Sequence, residues 1–207
     1  MKMNLANKLT VFRMILVPIM ALVPVIDSMF GIPGSFLGIS SAFWIMNAIF
    51  IIASITDKLD GYIARSRNQV TTFGKFLDPL ADKILVLAAL VILVEYDKLP
   101  AWIPIIVLAR EFIVSGYRLL AVEKGGKVVA ASIWGKLKTA TTMVAIIFVF
   151  LDKYSFADCF AKAELNMATG DFVFNIITTA LLTAAIIATI FSGVDYLKDG
   201  KDLLKDA

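Results

Sequence analysis

Asp57, Asp60, Asp78 and Asp82 are the residues of this chain whose type and spacing point most directly to chemistry. Asp57 and Asp60 are three apart and Asp78 and Asp82 four apart, so on helices each pair shares one face. Gly61, Ala64 and Arg65 follow the first pair, and Gly74 precedes the second. The small residues let a ligand approach the backbone. Four carboxylates brought together repel unless cations neutralise them. Hard divalent ions do this and also clamp phosphoryl oxygens, as two-metal sites do. The chain has no histidine and one cysteine, Cys159. That excludes the commonest metal ligand, an internal disulfide, a thiolate zinc cluster and an iron–sulfur centre, and leaves oxygen donors for Mg²⁺, Mn²⁺ or Ca²⁺. Each pair taken alone has a plain structural alternative. Asp78-Pro79 reads as a helix N-cap with proline in the first turn, and Asp57 could pair with Lys58 or Arg65.

The elements that must position these residues are membrane helices. Of 207 residues 59% are hydrophobic and only 18% charged, and mean hydropathy is +0.84. Soluble domains are nearer 45–50% apolar and about 25% charged. Charge-free stretches together with their apolar flanks predict six spans, at 8–27, 35–62, 78–95, 101–121, 132–151 and 172–195. The fold expected is all-α and integral to the membrane, one domain of six transmembrane helices around a polar cavity open to the cytoplasm. Its core is expected over about 7–196, after a short interfacial N-terminal helix (Met1–Leu9) and before a solvated tail (199–207). Breaks are expected at Gly31, Pro33 and Gly34, at Leu99-Pro100 and at Gly125-Gly126. The connections Asp27–Gly34, Tyr96–Pro100 and Asp152–Asp171 hold only Lys98, Lys153 and Lys162 of the 20 basic residues, so the positive-inside rule places both termini in the cytoplasm. No cleavable signal is evident. Trp102 and Trp134 fall near predicted helix ends, where interfacial tryptophans gather.

The charges inside spans are Arg13, Asp57, Asp60, Arg65, Asp78, Asp82, Arg110, Glu111, Arg118, Lys136 and Lys138. Alternating helix direction puts nearly all of them in the cytoplasmic half. Lys138 and Lys83 have a simpler reading, snorkelling from helix ends; aspartate is too short for that. The two acidic pairs, on an inward and an outward helix joined by the loop Ser66–Phe73, are expected at one depth. Arg110 and Arg118 are eight apart, about two helical turns, and with Lys136 they form a cationic cluster suited to a second anion, most simply a phosphate on an acceptor. Two alternatives stay open: an internal Arg110–Glu111 ion pair that ties helices together, and contact of Arg118 and Lys136 with anionic head groups.

The pattern D-x2-D-G-x2-A-R-x8-G-x3-D-x3-D is matched at every fixed position from Asp57 to Asp82. It resembles the signature of the CDP-alcohol phosphotransferase family, in which a six-helix membrane core transfers a phosphatidyl or similar group from a CDP-linked donor to an alcohol and releases CMP. The resemblance implies that Asp57, Asp60, Asp78 and Asp82 hold two divalent ions, Mg²⁺ or Mn²⁺, on the donor pyrophosphate. It implies that Asp82 is the base for the acceptor hydroxyl, and that Asn7, Thr10, Asp60, Gly61, Arg65 and Gly74 bind the CDP donor. Asn7-Lys8-Leu9-Thr10 with Arg13, the Arg110–Arg118 and Gly135–Thr139 segments, and Ser192-Gly193 with Asp195-Tyr196 resemble the phosphatidylglycerophosphate synthase branch. The reaction implied joins CDP-diacylglycerol and sn-glycerol 3-phosphate to give phosphatidylglycerol phosphate and CMP, with Arg110, Arg118 and Lys136 on the acceptor phosphate. Family members are generally homodimers in the plasma membrane, and no nucleic-acid partner is expected. The alternatives are another acceptor in the same family, such as inositol phosphate or phosphatidylglycerol, and, from another class, a cation or proton transporter, since intramembrane carboxylates also mark ion pathways. Against a transporter, the charges occupy one membrane half and no inverted repeat is apparent. Cys159 and the loop around it carry no assigned chemistry.

Overall fold

Apolar runs of this length form helices because a backbone in hydrocarbon must satisfy its own hydrogen bonds. The computed structural model describes residues 5–66, 72–123, 133–161 and 163–199, with side chains placed except at 5, 6, 58, 60–66, 72–76, 78, 79, 118–123 and 199. Among the described residues the helices are α1 (Leu5–Phe30), α2 (Ser41–Ser66), α3 (Thr72–Glu95), α4 (Trp102–Glu123), α5 (Ile133–Leu151) and α6 (Thr169–Asp199), with one 3-10 turn at Asp158–Ala161. Among them Asn7–Phe30, Ile133–Leu151 and Thr169–Lys198 are long and apolar enough to cross a bilayer, and Ser41–Asp57 is a shorter apolar helix. The secondary structure among the described residues is helical apart from one small hairpin, and the protein is membrane-embedded.

Two helix starts differ most from those expected. The second helix starts at Ser41, because Ser35–Phe36 and Ile39–Ser40 pair as an antiparallel hairpin. Its turn residues Leu37 and Gly38 both have positive φ, 54° and 77°, the primed-turn geometry that suits the twist of two strands. Ser41 then donates its backbone N–H to the Gly34 carbonyl at 3.1 Å. The third helix starts at Thr72, so Asp78 lies inside it and is no N-cap. Residues 5–9 are the first turns of α1 rather than a separate helix. The expected Gly125-Gly126 break and the tail beyond Asp199 lie outside the described residues.

The chain divides into two compact units, Met1–Lys98 with Ile147–Ser155, and Leu99–Ile146 with Phe156–Ala207. In the first, α1 packs along α2 and α3. The buried seam of α1 runs Asn7, Thr10, Arg13, Val17, Met20, with Val23 at its far end, a spacing of three and four that marks one helix face. Ala42, Met46, Phe50 and Ala53 form the buried ridge of α2, and Ala81, Leu85, Ala89 and Leu93 that of α3. Small residues in both ridges allow the close backbone approach on which helix packing in lipid depends. At one end of this unit the Tyr96 hydroxyl donates to Asp27 Oδ2 at 3.2 Å, and Lys98 Nζ donates to the carbonyls of Asp152 at 2.9 Å and Lys153 at 2.7 Å. Segments expected on one side of the membrane thus meet at one end of the unit.

In the second unit α4 packs on α6, and Ile103, Val107, Val114 and Tyr117 are buried on α4. The 3-10 turn is tied to α6 by the Cys159 N–H, which donates to Asn175 Oδ1 at 2.7 Å. Two threonines inside α6 are satisfied within the helix: Thr183 and Thr189 donate to carbonyls one turn back, each at 2.7 Å, the usual resolution for threonine in apolar helices. Trp102 and Trp134 stand at the first turns of α4 and α5, as expected.

Candidate active site

Asp57 continues the buried ridge of α2 one turn past Ala53, and Asp82 sits beside Ala81 on α3. The seam of α1 faces both ridges and carries Arg13, whose side chain is 0% exposed. A guanidinium so deeply buried must be paired. Arg13 Nη1 donates to Asp57 Oδ1 at 2.8 Å and to Asp82 Oδ1 at 2.5 Å. The two carboxylate oxygens, from two different helices, therefore lie no farther apart than the sum of those distances. Asp82 is the more open, with 39% of its side chain exposed against 24% for Asp57.

Asp60 lies one turn beyond Asp57 in α2, and Asp78 one turn before Asp82 in α3. Their side chains, and those of Arg65 and Arg118, lie outside the described residues, as do the surroundings of Gly61 and Gly74. Among the described residues no group of three or more carboxylate, histidine or cysteine side chains is gathered for a metal. The donor chemistry still fits a hard divalent cation: two aspartate oxygens from different helices already share one cationic partner, and such ions take oxygen ligands. Asn7 and Thr10, expected on the donor, are buried on the α1 seam about two turns and one turn before Arg13, respectively. The sequence marks Arg13 as a charge within a span and as part of the resemblance at Asn7–Thr10, with no role assigned to it. Its place among Asn7, Thr10, Val17 and Met20 at heptad-like spacing is the signal that marks it as inward-facing.

The second unit holds another polar cluster. Arg110 Nη1 donates to Glu111 Oε1 at 3.0 Å, and Lys138 Nζ bonds to that same oxygen. Arg110 Nη2 donates to Ser192 Oγ, and its guanidinium lies 5.6 Å from the centroid of the Tyr196 ring. Gly193 lies against this side chain: a Cβ there would stand 3.5 Å from Arg110 Cγ, an ordinary van der Waals contact. The internal Arg110–Glu111 pair is therefore present. Lys138 does not snorkel: it is 8% exposed, because Glu111 offers it a buried counter-charge where the interface offers only water. Lys136 is exposed on α5. Arg110 Nε and the Tyr117 hydroxyl are buried with no hydrogen-bond partner among the described residues.

The CDP-alcohol phosphatidyltransferase family model matches residues 3–191. The chain is 40% identical to the CDP-diacylglycerol–glycerol-3-phosphate 3-phosphatidyltransferase of Bacillus subtilis over 98% of its own length and 97% of that protein. It is 38% identical to the Haemophilus influenzae protein of the same name over 100% and 98%. A probable phosphatidylglycerophosphate synthase of Mycobacterium tuberculosis is 36% identical over 94% and 80%. The transporter alternative falls with these matches, and the protein is an enzyme. The family is in general dependent on divalent metal. On its sequence pattern, its helices and these relatives, the chain belongs to the CDP-alcohol phosphatidyltransferase family.

Proposed function

We propose that this enzyme transfers the phosphatidyl group of CDP-diacylglycerol to sn-glycerol 3-phosphate, giving phosphatidylglycerol phosphate and CMP. The observation that carries the reading is the alignment, over nearly the whole chain, with two proteins named for that reaction. The convergence of Asp57 and Asp82 supports it.

Asp57, Asp60, Asp78 and Asp82 are the proposed ligands of two divalent ions, Mg²⁺ or Mn²⁺. Bound there, the ions would neutralise the donor pyrophosphate and the charge that develops on it. Asp82 takes the proton of the acceptor hydroxyl; its greater exposure leaves it the more accessible to an incoming alcohol. The acceptor oxygen then bonds to the β-phosphorus as the bond to the CMP oxygen breaks, and CMP leaves. A carboxylate held against the hydroxyl can serve as base without histidine. Asn7, Thr10, Asp60, Gly61, Arg65 and Gly74 are the proposed contacts to the CDP donor. Arg110, Arg118 and Lys136 are proposed for the acceptor phosphate. The unspent Arg110 Nε supports that assignment, because a buried donor without a partner is costly unless a ligand meets it.

We further propose six bilayer crossings, with both termini and the polar helix ends toward the cytoplasm of a plasma-membrane enzyme, and a homodimer. The distribution of basic residues supports the orientation, and the family resemblance supports the dimer. The test is CMP release by purified protein in detergent, given CDP-diacylglycerol and Mg²⁺ with and without glycerol 3-phosphate. Release should require the acceptor, and Asp82→Asn should lower it by about 10²- to 10⁴-fold. Release that proceeds only with another alcohol would overturn the acceptor. Full release by Asp82→Asn would overturn the base.

A further inference from the structure

We propose that Arg13 is a positioning residue that stands in for the divalent ion: it gathers Asp57 and Asp82 when no ion is present and competes with the ion for their oxygens. The inference rests on the divalent-ion reading above. Three observations carry it. Arg13 is 0% exposed, on the buried seam of α1, so its charge is held among the helices rather than in water. One nitrogen, Nη1, reaches Oδ1 of both carboxylates. Those carboxylates come from α2 and α3, each of which packs on α1.

The electrostatics follow from this arrangement. Asp57 and Asp82 without a cation between them would repel across a short gap, and the ends of α2 and α3 would separate. Arg13 supplies a positive charge that both carboxylates share, and this holds them together in the ion-free site. The oxygens Arg13 occupies are the same hard donors an ion would use. Ion binding therefore has to draw Asp57 or Asp82 partly away from Arg13, and the guanidinium sets the affinity of the site from within. A neighbouring unit charge at this range weakens cation binding substantially, so Arg13 also keeps the ions exchangeable.

The experiment compares wild type, Arg13→Gln and Arg13→Lys as purified full-length protein in detergent. Mn²⁺ binding is followed by the electron paramagnetic resonance signal of the free ion, and thermal unfolding is measured in EDTA and in saturating Mg²⁺. Arg13→Gln should bind Mn²⁺ at least tenfold more tightly than wild type. It should unfold about 10 °C lower in EDTA and recover most of that loss in Mg²⁺, since an ion then supplies the missing charge. Arg13→Lys, which keeps the charge, should stay within about threefold of wild type in Mn²⁺ affinity. Unchanged Mn²⁺ affinity in Arg13→Gln, or equal loss of stability with and without Mg²⁺, would make Arg13 a merely structural ion pair and overturn the proposal. Failure of both variants to fold even in saturating Mg²⁺ would overturn it too. If wild type binds Mn²⁺ and Arg13→Gln binds it no better, this inference alone fails. If wild type binds no Mn²⁺, the divalent-ion reading fails first.

Discussion

Glu111 accepts two cations on one oxygen, and replacing it with glutamine tests whether that carboxylate holds the second unit together. The side chains of Arg110, Glu111 and Lys138 are 11%, 13% and 10% exposed, so solvent does little to screen them. Glu111→Gln keeps the shape and removes the charge, leaving Arg110 and Lys138 facing each other. Two cations that share one acceptor stand about 5 Å apart, and at an effective dielectric constant of ~20 their repulsion is about 3 kcal/mol. Breaking a buried pair by removing one partner costs a similar amount, ~3–5 kcal/mol. For a chain of this size the expected fall in Tm is about 6–12 °C. The assay is thermal unfolding in detergent, followed by tryptophan fluorescence. The double variant Glu111→Gln with Lys138→Met removes one of the two cations as well, and should recover at least half of the loss. A fall below about 2 °C in the single variant, or a double variant no more stable than the single, would refute the reasoning.

Three other outcomes are expected. Arg118→Ala or Lys136→Ala should raise KM for glycerol 3-phosphate by about tenfold or more, as loss of a charge-assisted contact does, and leave KM for CDP-diacylglycerol within about twofold; steady-state kinetics with each substrate varied would show equal rises if the acceptor assignment is wrong. Lys98→Met should lower stability by about 1–2 kcal/mol, because Lys98 bonds to two carbonyls at the end of α5 and lies 5.3 Å from the Phe43 ring centroid; a Tm unchanged from wild type would discount this tie. Burial, and then the hydrogen bond and charge of Asp27, push the Tyr96 hydroxyl from 10.0 up to about 12. Its contribution to stability is therefore complete below pH 10 and lost as pH rises toward 12. Tyr96→Phe should remove the last step of the tyrosinate absorbance titration, and a titration identical to wild type would show that Tyr96 is not the late group.

How much of this was legible beforehand differs from residue to residue. Membrane embedding and the six helices were readable from composition and apolar runs, because hydrocarbon leaves a backbone few options. The hairpin before Ser41 was not. The glycines at 31 and 34 marked a break, but the two-residue turn depends on Leu37 accepting a positive φ, which no local propensity announces. The family was legible in the spacing of Asp57, Asp60, Gly61, Arg65, Gly74, Asp78 and Asp82, since metal and phosphate chemistry tolerate few substitutes at fixed separations along a helix.

Partnerships were decided only by the tertiary structure. From spacing alone Asp57 had Lys58 and Arg65 within reach, side chains that lie outside the described residues; among the described residues it pairs with Arg13, 44 residues earlier in the chain. Lys138 had the interface, yet it turns to Glu111 on another helix. An ion pair depends on distance in space, and a sequence fixes distance only within an element. Its periodicity says which face of a helix is buried. Packing of α1 on α2 and α3, and of α4 on α6, decides what that face meets, and so which charge is neutralised by which.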